Sequence, residues 1–98
     1  MIQSFADKAT EALFCTRRSR DLPPDIQRVA LRKLLQVNAA VDLAFLRTPP
    51  GNRLEKLKGD RRHQHSIRIN EQWRICFVWR DGHAFKVEIA DYHQEEFR

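Results

Sequence analysis

A chain of 98 residues with a formal net charge of +5 has room for one domain and one modest core. Hydrophobic residues make up 42% and charged residues 32%, the balance of a folded globular chain rather than a disordered one. No apolar run approaches the roughly 18 residues that a spanning helix needs, and the opening MIQSFADK has no apolar leader region, so a cytoplasmic protein without a membrane segment is expected.

Met1 to Phe5 reads as a short edge strand, and Thr10 to Cys15 as one or two helical turns. Residues 16–24, TRRSRDLPP, carry three arginines, a serine and two prolines, which predicts a loop with too little apolar content to be held still. Pro24 suits a first helical turn, with Asp25 near the positive end of the helix dipole. Ile26, Ala30, Leu34, Val37 and Val41 then recur at three- or four-residue spacing, an amphipathic stripe. It runs on toward Phe45, with a break expected near Asn38 into two antiparallel helices, and TPPGN at 48–52 ends the helical region.

Beyond that point the period becomes two. LEKLKGD is bounded by turn residues and is read as a strand. Ile67 and Ile69 alternate with Ser66 and Arg68, and Trp73, Ile75, Phe77 and Trp79 alternate with Arg74, Cys76 and Val78. Asp81-Gly82 signals a tight hairpin, and Phe85, Val87 and Ile89 continue the alternation on the far side of it. Helices followed by antiparallel strands give an α+β fold in a single domain, a small twisted sheet with the helices on one face.

Arg53, Lys56, Lys58, Arg61, Arg62, Arg68 and Arg74 crowd the strand-bearing half, opposed only by Glu55, Asp60 and Glu71. Such a concentration points to a polyanion without identifying it. If Trp73, Ile75, Phe77 and Trp79 face the helices, Arg74 faces the other way, where a guanidinium is a natural phosphate ligand. A strand arginine paired to a neighbour such as Glu88 is the plainer reading of that residue type. Asp91-Tyr92-His93 places three hydrogen-bonding or proton-transferring side chains at a strand end. Strict alternation would send Asp91 to the core side, so the strand is expected to stop near Ala90. By itself that triplet is also an ordinary polar terminus.

Cys15 and Cys76 follow no metal or redox spacing and are expected as two free thiols. His63 and His65 would point the same way from a strand, yet no third ligand stands nearby, so they are read as polar loop and strand residues and no metal or other cofactor is expected. There is no glycine-rich phosphate loop, HExxH or serine-nucleophile context.

The second half as a whole is more specific than any of its residues. LKGD, then HSIRIN, then QWRICF, then DYH follow one another in order, preceded by LRTPPGNRL and the opening MIQSF. This succession resembles the HigB-type toxins, the plasmid-maintenance killer proteins of the RelE/ParE superfamily, over nearly the whole chain to His93. The resemblance implies a RelE-like fold and the toxin of a toxin–antitoxin pair, a ribosome-dependent endoribonuclease acting on mRNA. It also implies a cognate HigA-like helix-turn-helix antitoxin as partner, besides the ribosome and the message. The family's reactive constellation matches Lys58, Arg74, Asp91, Tyr92 and His93, with Arg53, Lys56, Arg61, Arg62 and Arg68 as the surrounding RNA-binding cations. One departure stands out: some relatives carry histidine three residues before the lysine, and this chain has Glu55. Two other readings compete with the nuclease, a ParE-like gyrase inhibitor of the same broad fold and a basic nucleic-acid-binding module without catalysis.

Overall fold

The computed structural model describes residues 1–91, in which helices precede an antiparallel sheet. Helix α1 spans Lys8–Thr16 and α2 spans Pro24–Ala39; the sheet has β1 (Glu55–Lys56), β2 (His65–Arg68), β3 (Trp73–Arg80) and β4 (His83–Asp91) in the spatial order β1-β2-β3-β4. Tyr92, His93 and the QEEFR tail lie outside the described residues.

Asp7 caps α1 by accepting the Thr10 amide at 2.7 Å, and Arg17 closes it in the left-handed region with its N–H on the Leu13 carbonyl. Helix α2 starts with Pro24 in its first turn and buries Ile26, Ala30, Leu34 and Val37. It stops at Ala39, and the chain goes on as a 3-10 turn over Leu43–Arg47 rather than as a second helix. Val41, assigned by its spacing to the apolar stripe, is therefore exposed. Between the helices, the arginine-rich loop is better anchored than its composition predicts. The Gln27 side chain holds the Ser19 amide and the Ser19 and Leu22 carbonyls, while Leu22 is buried in the core.

The helices cover one face of the sheet, where Ile67, Ile75, Phe77, Val87 and Ile89 are buried against Leu13, Ala30, Leu34 and Val37. Phe77 lies at the centre, fully buried, a position where truncation to alanine costs about 3–5 kcal/mol. Thr10 joins the layers, since its hydroxyl accepts the Ile89 amide at 2.9 Å inside the core. The opening segment runs parallel to β4 along its outer edge, with bridges Ile2 to Ala84 and Phe5 to Val87. It thereby shields an edge that would otherwise expose bare N–H and C=O groups.

Asp81 and Gly82 both take positive φ (53° and 81°), the geometry of the two-residue hairpin expected there. The register between β3 and β4 then slips. Cys76 pairs with Glu88 but Val78 pairs with Phe85, so Lys86 and Val87 stand against Phe77 alone. This bulge, with Lys86 at φ 53°, breaks the alternation of β4. Val87 and Ile89 keep to the helix side, whereas Phe85 shares the side of Val78 and lies under the Arg80 guanidinium. The LEKLKGD segment yields only the two-residue β1, followed by a 3-10 turn at Gly59–Arg61. Its Leu57 folds onto Cys76 and Ala90 instead, so β3 is buried on both faces at its middle.

Candidate functional site

Directly opposed residues of antiparallel strands point to the same side. The register therefore groups Glu55, Ser66, Cys76 and Glu88 in one row across the sheet, and Arg68, Arg74 and Ala90 in the next, all on the side away from the helices. Arg74 occupies this face, as the alternation predicts, but it is not openly exposed there. It is 5% accessible and held on several sides. Its Nε donates to Ser66 Oγ at 2.7 Å, and its Nη2 donates to the main-chain oxygens of Arg53 at 2.6 Å and Ser66 at 3.3 Å. The Glu55 carboxylate stands 3.8 Å away. The partner that residue type suggested, Glu88, is taken by Arg61 at 2.7 Å.

Beside Arg74 opens a cleft of about 260 Å³ lined by Arg53, Glu55, Arg68, Asn70, Glu71 and Arg74. Arg68 and Arg74 face each other across the β2–β3 ladder, an arrangement that costs stability for like charges unless an anion lies between or beside them. The Arg68 Nε is turned toward the hairpin end by the Asn70 carbonyl. Asn70 shapes that end, accepting the Gln72 and Trp73 amides on Oδ1 at 2.8 Å each. Behind it, the buried Lys33 of α2 donates through Nζ to the Arg68 carbonyl and pins the end of β2 to the helix layer. Burial, with Arg32, Arg68 and Arg74 nearby, pulls the Lys33 ammonium below its ordinary pKa.

Asp91 is the last described residue of β4 and pairs with Trp73, one position past the Ala90 near which a stop is expected. Its core-side carboxylate sits at the sheet's end rather than in the core, where Oδ2 accepts from Gln72 Nε2 at 3.1 Å. That hydrogen bond offsets part of the burial cost that the alternation implied. Among the described residues β4 ends at Asp91, beside the end of β3 that carries Trp73 and Arg74.

The remaining cations divide. Arg53 and Arg68 line the cleft with Arg74. Lys58 is exposed and precedes the 3-10 turn that Gly59, at φ 63°, lets the chain enter. Arg61 lies in that turn, tied to Glu88 and to Gln64, and Arg62 is exposed beside it. Lys56 pairs in register with His65 and so belongs to the opposite side of the sheet from Glu55 and Arg74. His65 stacks on Phe77, its pKa lowered by burial and then by Lys56, while His63 is exposed before β2. Among the described residues no three His, Cys, Asp or Glu side chains gather to hold a metal ion. Both cysteines are free; burial raises the Cys76 thiol to about 11.

Ser66, Asn70 and Lys33 are the supporting residues that sequence reasoning passed over. Serine in HSIRIN carries no signal until the register sets it beside Arg74. Lys33 resembles a solvated helix lysine until α2 is docked on the sheet.

Two helices on one face of a four-stranded antiparallel sheet make an α+β fold consistent with a RelE-like toxin. The family description that matches residues 3–93 is the HigB-like toxin, the RelE-like toxin of the type II toxin–antitoxin system HigB, and this chain belongs to that family. It is therefore the toxin of such a system, and an antitoxin is its partner. Toxin HigB-1 of Vibrio cholerae serotype O1 is 41% identical over 90 residues, covering 91% of this chain and 95% of the relative. Endoribonuclease HigB of Proteus vulgaris is 33% identical over 94 residues, covering 95% of this chain and all of the relative. Among the described residues no helix is long and apolar enough to cross a membrane.

Proposed function

We propose that this toxin is an endoribonuclease that cuts mRNA on the ribosome in the cytoplasm, by attack of the message's own 2′-hydroxyl on the adjacent phosphate. The observation that carries this reading is the cleft in which Arg53, Arg68 and Arg74 converge on the sheet face away from the helices, beside the strand that ends in Asp91. Its support in sequence is the end-to-end similarity to a relative named as an endoribonuclease.

The chemistry needs three services. A proton must leave the 2′-hydroxyl, a proton must reach the departing 5′-oxygen, and charge building on the phosphorane must be balanced. Arg74 and Lys58 balance the charge, with Arg53 and Arg68 holding the flanking phosphates and Arg61 and Arg62 extending the basic rim. His93 and Asp91 handle protons, and Tyr92 positions or stacks a nucleotide. The rigid seat of Arg74 between Ser66 and the Arg53 carbonyl favours this role, because a charge already in place need not reorganise during the reaction. Positive charge from side chains and a nucleophile from the substrate leave no step that calls for a divalent metal. The antitoxin is a HigA-like helix-turn-helix protein.

End-group analysis of message cut on the ribosome tests the mechanism. A 2′,3′-cyclic phosphate and a 5′-hydroxyl are expected, and a 2′-deoxy substitution before the cut stops the reaction. A 5′-phosphate product overturns it. Intact message together with lost supercoiling activity of gyrase would assign the toxin to the gyrase-inhibiting branch instead.

A further inference from the structure

A lysine is an expensive residue on the inner side of α2. Lys33 falls among Ile26, Ala30, Leu34 and Val37, which pack on the sheet, and only 6% of it is accessible. Burying an ammonium is costly unless an opposite charge compensates it. The charges that bear on Lys33 are those of Arg32, Arg68 and Arg74, all of its own sign. An apolar side chain would close this part of the core at less cost, so packing does not account for the residue.

Its contact does. Lys33 Nζ donates to the main-chain oxygen of Arg68. The ladder between β1 and β2 covers only Glu55 with Ser66 and Lys56 with His65, so Arg68 lies past the end of β1, with β3 as its strand neighbour. A charged donor makes a firm bond to a carbonyl at such a loose end. While the backbone of Arg68 is tied to the helix layer, its side chain shares the far side of the sheet with Arg74 and lines the cleft. There Arg68 Nε donates to the Asn70 carbonyl at 3.0 Å. Arg74 has its own seat inside the sheet, on Ser66 and the Arg53 carbonyl. Arg68 is placed by Lys33 behind it and Asn70 beside it.

We infer that Lys33 is a positioning residue for the substrate: from the helix side it holds the end of β2 so that Arg68 stands beside Arg74 as the second arm of a clamp on RNA phosphate. The role rests on the nuclease reading above. Lys33 itself touches no substrate. A clamp set in advance binds without first ordering a strand end, which is where its contribution to affinity arises. A phosphate seated against Arg68 and Arg74 also offsets the mutual repulsion of the cations gathered there, so the unfavourable charge of the empty cleft favours binding.

The test is a double-mutant cycle on message programmed into ribosomes. Single-turnover cleavage is followed against toxin concentration for the parent, Lys33→Met, Arg68→Ala and the two combined. Methionine keeps much of the buried stem and removes both donor and charge. Lys33→Met is expected to raise the half-saturating concentration about 10-fold, with the rate at saturation within about threefold of the parent's. In the Arg68→Ala background the same change should add less than about twofold, because its route to the substrate is already cut. Lys33→Arg, which retains donors and charge, should recover part of the affinity. Thermal unfolding shows that each toxin is folded at the assay temperature. A lysine that serves only the core would act independently of Arg68, so equal losses in the two backgrounds overturn the role. So does an unchanged Lys33→Met toxin, or a loss confined to the rate at saturation; all three leave the nuclease reading standing. Should Lys33→Met not fold, the cycle is read with Lys33→Gln, whose side chain is one bond shorter, by the same criteria. Failure of both to fold makes Lys33 a residue of the core and overturns the role. A parent that cuts no RNA overturns the nuclease reading and this role together.

Discussion

The guanidinium of Arg74 donates through Nη2 to the main-chain oxygen of Arg53 at 2.6 Å, tying β3 to the loop that enters β1. One side chain thus shapes the cleft and supplies part of its charge. Function and stability are coupled at this residue, and the predictions separate them.

Arg74→Ala strands the Arg53 carbonyl and Ser66 next to a void, so the protein is expected to lose about 2–4 kcal/mol of stability as well as its cleavage activity. Arg74→Lys keeps a positive charge but cannot serve Ser66 and Arg53 with one planar fork. It should fold better than the alanine variant and still cut about 10²–10³-fold more slowly than the parent. Urea unfolding beside cleavage rates checks both. An Arg74→Ala protein as stable as the parent would contradict the buried anchoring described above.

Lys58 offers the contrasting case. It is exposed at the start of the Gly59–Arg61 turn, so Lys58→Ala should shift stability by no more than about 0.5 kcal/mol. Cleavage should nevertheless fall by about 10²–10³-fold if its ammonium balances charge in the transition state. Full activity in a normally folded Lys58→Ala toxin would remove it from the reaction.

The bulge at Lys86 carries backbone strain that a glycine would relieve. A lysine at φ 53° suffers the crowding of Cβ against the backbone, worth about 1 kcal/mol, against which glycine loses some chain entropy. Lys86→Gly is expected to be neutral to stabilising by up to about 1 kcal/mol, and Lys86→Val to be clearly destabilising. Chemical denaturation of both decides the matter; a valine variant as stable as the glycine one would argue against the bulge.

His65 should make stability depend on pH. Burial and Lys56 lower its folded pKa, so at acid pH the unfolded chain binds the extra proton more readily than the folded one. The associated stability is complete above the ordinary value of about 6.5 and is lost as pH falls through the lowered folded value. His65→Phe keeps an aromatic ring against Phe77 and abolishes that component. Melting temperatures from pH 7.5 down to pH 5 should therefore fall less steeply in the variant; parallel curves for the two proteins would refute this.

Local signals carried much of this fold. Pro24 in the first turn of α2, the stripe from Ile26 to Val37 and the Asp81-Gly82 hairpin all depend on neighbours a few residues apart, and sequence displays such neighbours directly. The same holds for the order of LKGD, HSIRIN, QWRICF and DYH, which marked the family and named Tyr92 and His93 without any coordinates.

What alternation could not supply was the pairing between strands. A period of two says that Arg74 and Ile75 point to opposite faces, but not that Leu57 and the Arg61–Glu88 pair would cover part of the second face. Nor could it show that Lys86 interrupts β4 and sends Phe85 to the other side, since a bulge is defined by the partner strand. The gathering of Arg53, Glu55, Arg68 and Arg74 into one cleft, and the departure of Lys56 from it, are likewise matters of register. A single-residue step in register moves a side chain through the sheet. The sequence by itself determined which chemistry was present and which elements would carry it. Only the tertiary structure decided which of those groups meet, because long-range pairing is set by the packing of the whole core.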